Sequence, residues 1–186
     1  MKLIIGLGNP GEKYVYTRHN VAWIVFDNLN KNIDWNFNKY ANSNLAHISL
    51  ADEDIIFAKP ETFMNDTGSI LPYLVKEYNF TNNDIIVVQD DIDLPLGKIK
   101  ISHDRGDGGH NGIKSIMAQL SSREFVRVRV GVSILDESGI LRKPDVLGNF
   151  SKEEMDTLKK DISPLVGNIL TVLVSEGHEK AMTKYN

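Results

Sequence analysis

The 186-residue chain contains no cysteine. Disulfides, thiolate metal ligands and thiol nucleophiles are therefore excluded together. No stretch approaches the roughly 18 apolar residues that a membrane-crossing helix needs. The N-terminal apolar run, Leu3–Leu7, is too short for a secretory signal. The G-x-S-x-G elbow of serine hydrolases is missing. Internal repeats, low-complexity segments and linkers are missing too. These absences lead to the expectation of a cytoplasmic protein with no membrane partner.

What is present describes an ordinary globular chain, with 41% hydrophobic and 25% charged residues. Its length fits one domain spanning residues 1–186. The net charge of −4 argues against nucleic acid until its distribution is read. From Gly97 to Arg129 seven bases stand against three acids, so this segment is +4 and the remainder −8. A basic stripe on an acidic protein can still dock a phosphate backbone.

Patterning gives alternating strands and helices. Lys2–Leu7 and Asp84–Gln89 read as buried strands, and Asn44–Leu50 with Asp54–Lys59 as a hairpin. Lys98–Ser102 and Phe125–Ser133 alternate, the latter with Arg127 and Arg129 on one face. Helices are expected after Thr17, over Ser69–Tyr78 with Pro72 in the first turn, and over Asn111–Leu120. Ser151 to Glu154 has capping-box spacing and opens a helical region that Ser163-Pro164 should kink or split. The fold class that follows is α/β: a single domain, a twisted mixed β-sheet flanked by helices, and a C-terminal helical region.

Gly6-Leu7-Gly8-Asn9-Pro10-Gly11 has the G-x-G-x-x-G spacing of a dinucleotide turn. The setting does not fit. Glu12–Thr17 has no apolar helical face, and the acid at the right distance, Asp27, falls on an expected helix. No nucleotide cofactor is expected.

The remaining polar residues point to hydrolysis. His19 follows the first strand, where open α/β sheets place their sites, and an imidazole suits general-base work. Asp90 follows the apolar strand Asp84–Gln89 and could orient it. The acids Asp90, Asp91 and Asp93 could instead be turn carboxylates or ligands of a divalent metal. The glycine-rich run ending in His110 and Asn111 opens a helix and could face an anion. Asn9, Asn65 and Asn111 fall on three separate loops, and each pairs a donor with an acceptor as a peptide amide does. With no thiol or serine elbow, activated water is the better nucleophile.

Taken in order, GLGNPGEKYVYTRHN, KPETFMNDTG, QDDIDLPLGKIKI, GGHNGIKSI, RVRVGV and VLGNFSKEEM closely resemble the bacterial-type peptidyl-tRNA hydrolase family. The resemblance implies a monomeric, metal-independent esterase that releases free peptide and reusable tRNA. It implies His19 as the base for water, Asp90 as its orienting acid and Asn9 against the scissile carbonyl or the water. It implies Asn65 and Asn111 on the peptide main chain and the tRNA 3′ end, with Tyr14 and Met64 lining the cleft and His110 flanking it. Lys98, Lys100, Arg105, Lys114 and Arg129 form the pool of tRNA phosphate contacts. The same resemblance leaves room for a non-catalytic RNA-binding relative.

The chain departs from the family pattern at three places. Ala22 replaces a customary glycine, a change expected to be absorbed by packing. Gln89 stands where many members have histidine, so no second imidazole is expected to assist Asp90. Ser102 stands where a basic residue is usual, which implies weaker or more salt-sensitive tRNA binding.

Overall fold

The computed structural model describes residues 1–29 and 33–186. Strand β1 (Lys2–Gly6) is apolar throughout because it is covered on both faces: Leu3 and Ile5 enter one core, Ile4 the other. Two 3-10 turns follow, Glu12–Tyr14 and Arg18–Asn20, and the second runs straight into α1 (Val21–Leu29). Thr17 precedes that turn without capping it, since its hydroxyl donates to Tyr14 O at 2.8 Å. Strands β2 (Asn36–Asn38), β3 (Ser43–Leu50) and β4 (Glu53–Pro60) come next. The last two form the expected hairpin, turned by Ala51 and Asp52, both at positive φ.

A 3-10 segment, Met64–Ile70, occupies the start of the expected second helix, leaving α2 as Leu71–Tyr78 with Pro72 in its first turn. Strand β5 runs over Ile85–Pro95, well past the expected end at Gln89. It is prolonged because β7 pairs with it as far as Asp91, and again at Pro95 after a register shift. The acidic segment after Gln89 is therefore part of the strand. Strand β6 (Ile99–His103), α3 (Asn111–Leu120), β7 (Val126–Leu135) and β8 (Leu141–Arg142) complete this half.

Ser151 forms the expected capping box with Glu154 at the start of α4 (Lys152–Thr157). A π turn, Leu158–Ile162, then separates it from α5 (Ser163–Glu176), and α6 (His178–Tyr185) ends the fold. The π turn sits immediately before Pro164, whose missing N–H cannot continue the helical ladder. Ser163 compensates, donating both its N–H and its hydroxyl to Leu158 O.

Strand order is β2-β3-β4-β1-β5-β7-β6, with β8 paired to β7. The central four strands are mutually parallel and the flanking pairings antiparallel, which makes the sheet mixed as expected. Helices α1 and α4–α6 bury one face, α2 and α3 the other. Ala22 is fully buried in the first core. Beside β6, the Asn186 side chain accepts from Ile101 N at 2.8 Å and donates to Ile101 O at 2.9 Å.

Strand β1 has β4 on one side and β5 on the other. The chain builds one flank, then crosses by way of α2 to start the other. The crevice beyond the carboxyl ends of these strands is a topological switch point, where such sheets bind ligands.

Gly131 in β7 marks how tightly β5 and β7 meet there, since an added Cβ would collide with the Pro95 carbonyl. Gly131→Ala is expected to cost about 1–3 kcal/mol, the usual range for overpacking, as measured by urea denaturation.

Candidate active site

The turn Arg18-His19-Asn20 ties three parts of the fold to the switch point. The buried Arg18 guanidinium donates to Val132 O at 3.0 Å and to both carboxylate oxygens of Glu154 at 2.9 Å. It also lies 4.8 Å from the Phe150 ring centroid. Asn20 fixes the backbone of Asn9, accepting from its N–H and donating to its carbonyl, each at 2.9 Å. His19 points between these anchors at Asp90, Nδ1 to Oδ1, at 2.8 Å. Its own N–H donates to Val146 O at 2.9 Å, and Arg18 N–H to Gly148 O at 3.0 Å.

Asp90 is only 2% exposed and serves two imidazoles. His110 Nε2 lies 2.9 Å from the same Oδ1 that meets His19. The expectation that no second imidazole assists Asp90 is therefore corrected: it arrives from the glycine-rich loop instead of from position 89. The tautomer of His110 follows from its other contact. His110, not Asn111, is the N-cap of α3, and its Nδ1 accepts from Gly112 N at 3.2 Å. That assigns the proton to Nε2, directed at Asp90. Burial alone would raise the Asp90 pKa, but His110 and then His19 outweigh it and hold the carboxyl well below the usual carboxylate range. With Nδ1–H of His19 donated to Asp90, the Nε2 lone pair of the neutral ring is left for a substrate proton.

The three asparagines divide their work. Asn9 is buried, and its Oδ1 accepts from Met64 N at 2.8 Å. This orients the amide so that Nδ2 is the group left to act, as a donor only. Met64 is buried against Gly112 at the start of α3, forming a wall. Tyr14 packs edge-to-face with the neighbouring Phe63, centroids 6.5 Å apart. Asn65 and Asn111 are exposed and line a groove between the Met64–Ile70 segment and α3.

Asn111 also lines the larger cavity, of about 750 Å³, which holds His19, Asp90 and His110. Of the cations expected to meet phosphate, Lys100, Arg105 and Arg129 line this cavity. Lys114 lines the smaller groove, and Lys98 lines neither. Arg129 is partly committed, its Nε donating to Asp91 Oδ2 at 2.6 Å.

Comparison with known proteins joins this geometry to a family. A family profile described as Peptidyl-tRNA hydrolase matches residues 3–186. The chain belongs to the peptidyl-tRNA hydrolase family. A peptidyl-tRNA hydrolase from Thermotoga petrophila is 44% identical over 184 residues, covering 99% of this chain and 96% of the relative. One from Dehalococcoides mccartyi is 40% identical over 189 residues, covering 100% of both. The crystal structure of peptidyl-tRNA hydrolase from Acinetobacter baumannii superposes with a TM-score of 0.85 at 28% identity, covering 100% of this chain and 94% of that one.

Sequence reasoning missed two contributors to this site. Glu154 was legible only as a helix cap, although its carboxylate also holds Arg18 beside His19. Arg127 lines the cavity, and the alternation that puts it on the face of Arg129 was the signal for it.

Removing one partner of a buried ion pair strands the other. Glu154→Ala is expected to destabilise the fold by about 3–5 kcal/mol in chemical denaturation, and Glu154→Gln, which keeps hydrogen-bond acceptance, by less. Equal stability of wild type and Glu154→Ala would count against this role.

Proposed function

We propose that this chain hydrolyses the ester joining a peptide to the 3′-terminal ribose of tRNA, with His19 as general base for water. The observation that carries the reading is the directed chain from His19 Nδ1 to Asp90, with Asp90 fixed from behind by His110. His19 Nε2 takes a proton from water as the water oxygen attacks the ester carbonyl. Asp90 stabilises the imidazolium that forms. The C–O bond to the ribose then breaks, and His19 returns its proton to the departing ribose oxygen. Peptide acid and free 3′-hydroxyl are the products, and the enzyme is unchanged.

The choice left open for Asn9, carbonyl or water, narrows with its orientation. Because Met64 N–H fixes Oδ1, Nδ2 is turned outward as a donor and can serve the developing oxyanion. Asn65 and Asn111 offer donor–acceptor pairs to the peptide main chain and the tRNA 3′ end. An amide-reading groove of this kind disfavours the free ammonium of an aminoacyl-tRNA. Lys100, Arg105 and Arg129 take the tRNA backbone at the larger cavity, with Lys98 and Lys114 outside it. In this reading the protein is a cytoplasmic monomer, as its family resemblance implies. No described helix is long and apolar enough to cross a membrane.

Two observations weigh against metal-assisted hydrolysis. His19, Asp90 and His110 place three potential ligand atoms within 4.8 Å of one another. Ligation would require His110 Nε2 to lose the proton that the Gly112 contact assigns to it. Asp91 and Asp93 are committed elsewhere, Asp91 to Arg129 at 2.6 Å and Asp93 to Lys143 at 2.6 Å.

Release of acylated amino acid from N-acetyl-aminoacyl-tRNA is the direct test. Full activity is expected in chelator, and near-complete loss in His19→Ala. Loss of activity in chelator would favour metal, and an inactive wild type would favour a binding role. Asn9→Asp keeps an acceptor for Met64 N–H and removes the donor. It is expected to lower kcat by about 10²–10³-fold, with thermal stability largely retained.

A further inference from the structure

His19 and Asp90 stand between two unlike flanks of the sheet. Beyond β5 lie β7 and β6. Residues 97–129, which include all of β6 and the first part of β7, hold seven bases against three acids. Beyond β1, on the other flank, lie β4, β3 and β2. Residues 36–42 and 60–66, at the site end of that flank, hold one base, Lys39, against two acids, Glu61 and Asp66. What this second flank presents is aromatic.

Strand β3 runs antiparallel to both neighbours, so the β2–β3 turn lies at the carboxyl end of β4, on the edge that carries the site. Asn38 Oδ1 shapes the turn, accepting from Tyr40 N at 2.9 Å and Ala41 N at 3.0 Å. Glu61 N–H donates to Asn42 O at 2.9 Å and joins the turn to the chain that leads into Phe63 and Met64. Tyr40 is 68% exposed and Phe63 is 58% exposed, yet neither ring is loose. Tyr40 stacks on Tyr73 of α2, centroids 5.6 Å apart, and Lys39 Nζ lies 5.0 Å from its centroid. Phe63 meets Tyr14 edge-on. Phe63 also directly precedes Met64, whose N–H holds Asn9. The aromatic surface therefore begins beside Asn9 and leads away from the basic flank.

Fixed aromatic rings left in water suit a partner that brings apolar side chains. A phosphate backbone is poorly served there, because acids outnumber bases. A substrate with RNA on one side of an ester and peptide on the other has a matching asymmetry. We propose that Phe63 and Tyr40, backed by Tyr73, form a shelf for the far end of the substrate's peptide and favour apolar side chains there. Reach sets the length required. The backbone from Met64 back to Glu61 spans at most about 10 Å, and Tyr40 lies beyond it, so a peptide of about five residues reaches the ring and an N-acetyl-amino acid does not. The shelf rests on the ester-hydrolysing reading for what carries the peptide.

Two pentapeptides that differ only in two leucines or two serines at the far end test it. Joined by an amide to 3′-amino-3′-deoxyadenosine, which blocks hydrolysis, each would be titrated into the full-length protein. The Tyr40 and Phe63 ring signals would be followed by ¹³C NMR. The leucine form is expected to bind about fivefold tighter and to shift both rings, as part-burial of apolar side chains would give. Tyr40→Ser is expected to cut that preference below about twofold, and Tyr40→Trp to restore it. Ester-linked to tRNA, the same pair should show the same preference in kcat/KM, while N-acetyl-aminoacyl-tRNA is cleaved equally by wild type and Tyr40→Ser. A preference unchanged in Tyr40→Ser would overturn the shelf. So would an equal loss on N-acetyl-aminoacyl-tRNA, or ring shifts produced by uncharged tRNA alone, which would make the surface an RNA platform. A protein inactive on every ester but keeping the leucine preference would sink the hydrolytic reading and leave the shelf standing.

Discussion

One carboxylate oxygen organises the catalytic end of this protein. Asp90 Oδ1 receives the N–H of two imidazoles, one from the turn after β1 and one from the cap of α3. The two rings come from elements on opposite faces of the sheet. A buried anion in that position is tolerated because both donors point at it, and it in turn fixes the tautomer of His19. His19 is directed by Asp90, His110 is directed by Gly112, and the proton positions of the site follow from these two facts. Desolvation, which by itself would neutralise the carboxyl, is outweighed by this pair of donors.

The turn Arg18-His19-Asn20 distributes the rest of the load. Three consecutive side chains reach three different structures: Glu154 and the end of β7, Asp90 on β5, and the backbone of Asn9. A short 3-10 turn suits this task, because its three side chains fan outward at about 120° instead of sharing a face. His19, Asn9 and the helix that packs behind them are therefore placed relative to one another by adjacent residues. Errors in loop position have little opportunity to accumulate between them.

Much of this was legible in the sequence. Apolar runs located β1 and the core of β5, alternation located β6 and β7, and the capping box of α4 lay where its spacing put it. His19, Asp90 and His110 are brought together, though His110 was expected only beside the cleft. What remained hidden depends on partners remote in sequence. The apolar run ends at Gln89, but pairing with β7 carries the strand on to Pro95. Asn111 has the chemistry of an N-cap, yet His110 takes that position, its Nδ1 accepting from Gly112 N while Nε2 reaches Asp90. The double role of Glu154 depends on Arg18, 136 residues away, and no local pattern carries that information.

Asn186 has a consequence for how the protein behaves among its neighbours. Strand β6 is an outermost strand, and such strands offer unpaired backbone groups to any extended chain that passes. At Ile101 that offer is withdrawn: a single carboxamide occupies the N–H and the C=O together, as the next strand of a sheet would. One side chain thus imitates a strand without being one, and it does so midway along a five-residue edge. An incoming peptide could pair on either side of that point but could not run through it. At this edge, a continuous run of strand pairing is interrupted at Ile101.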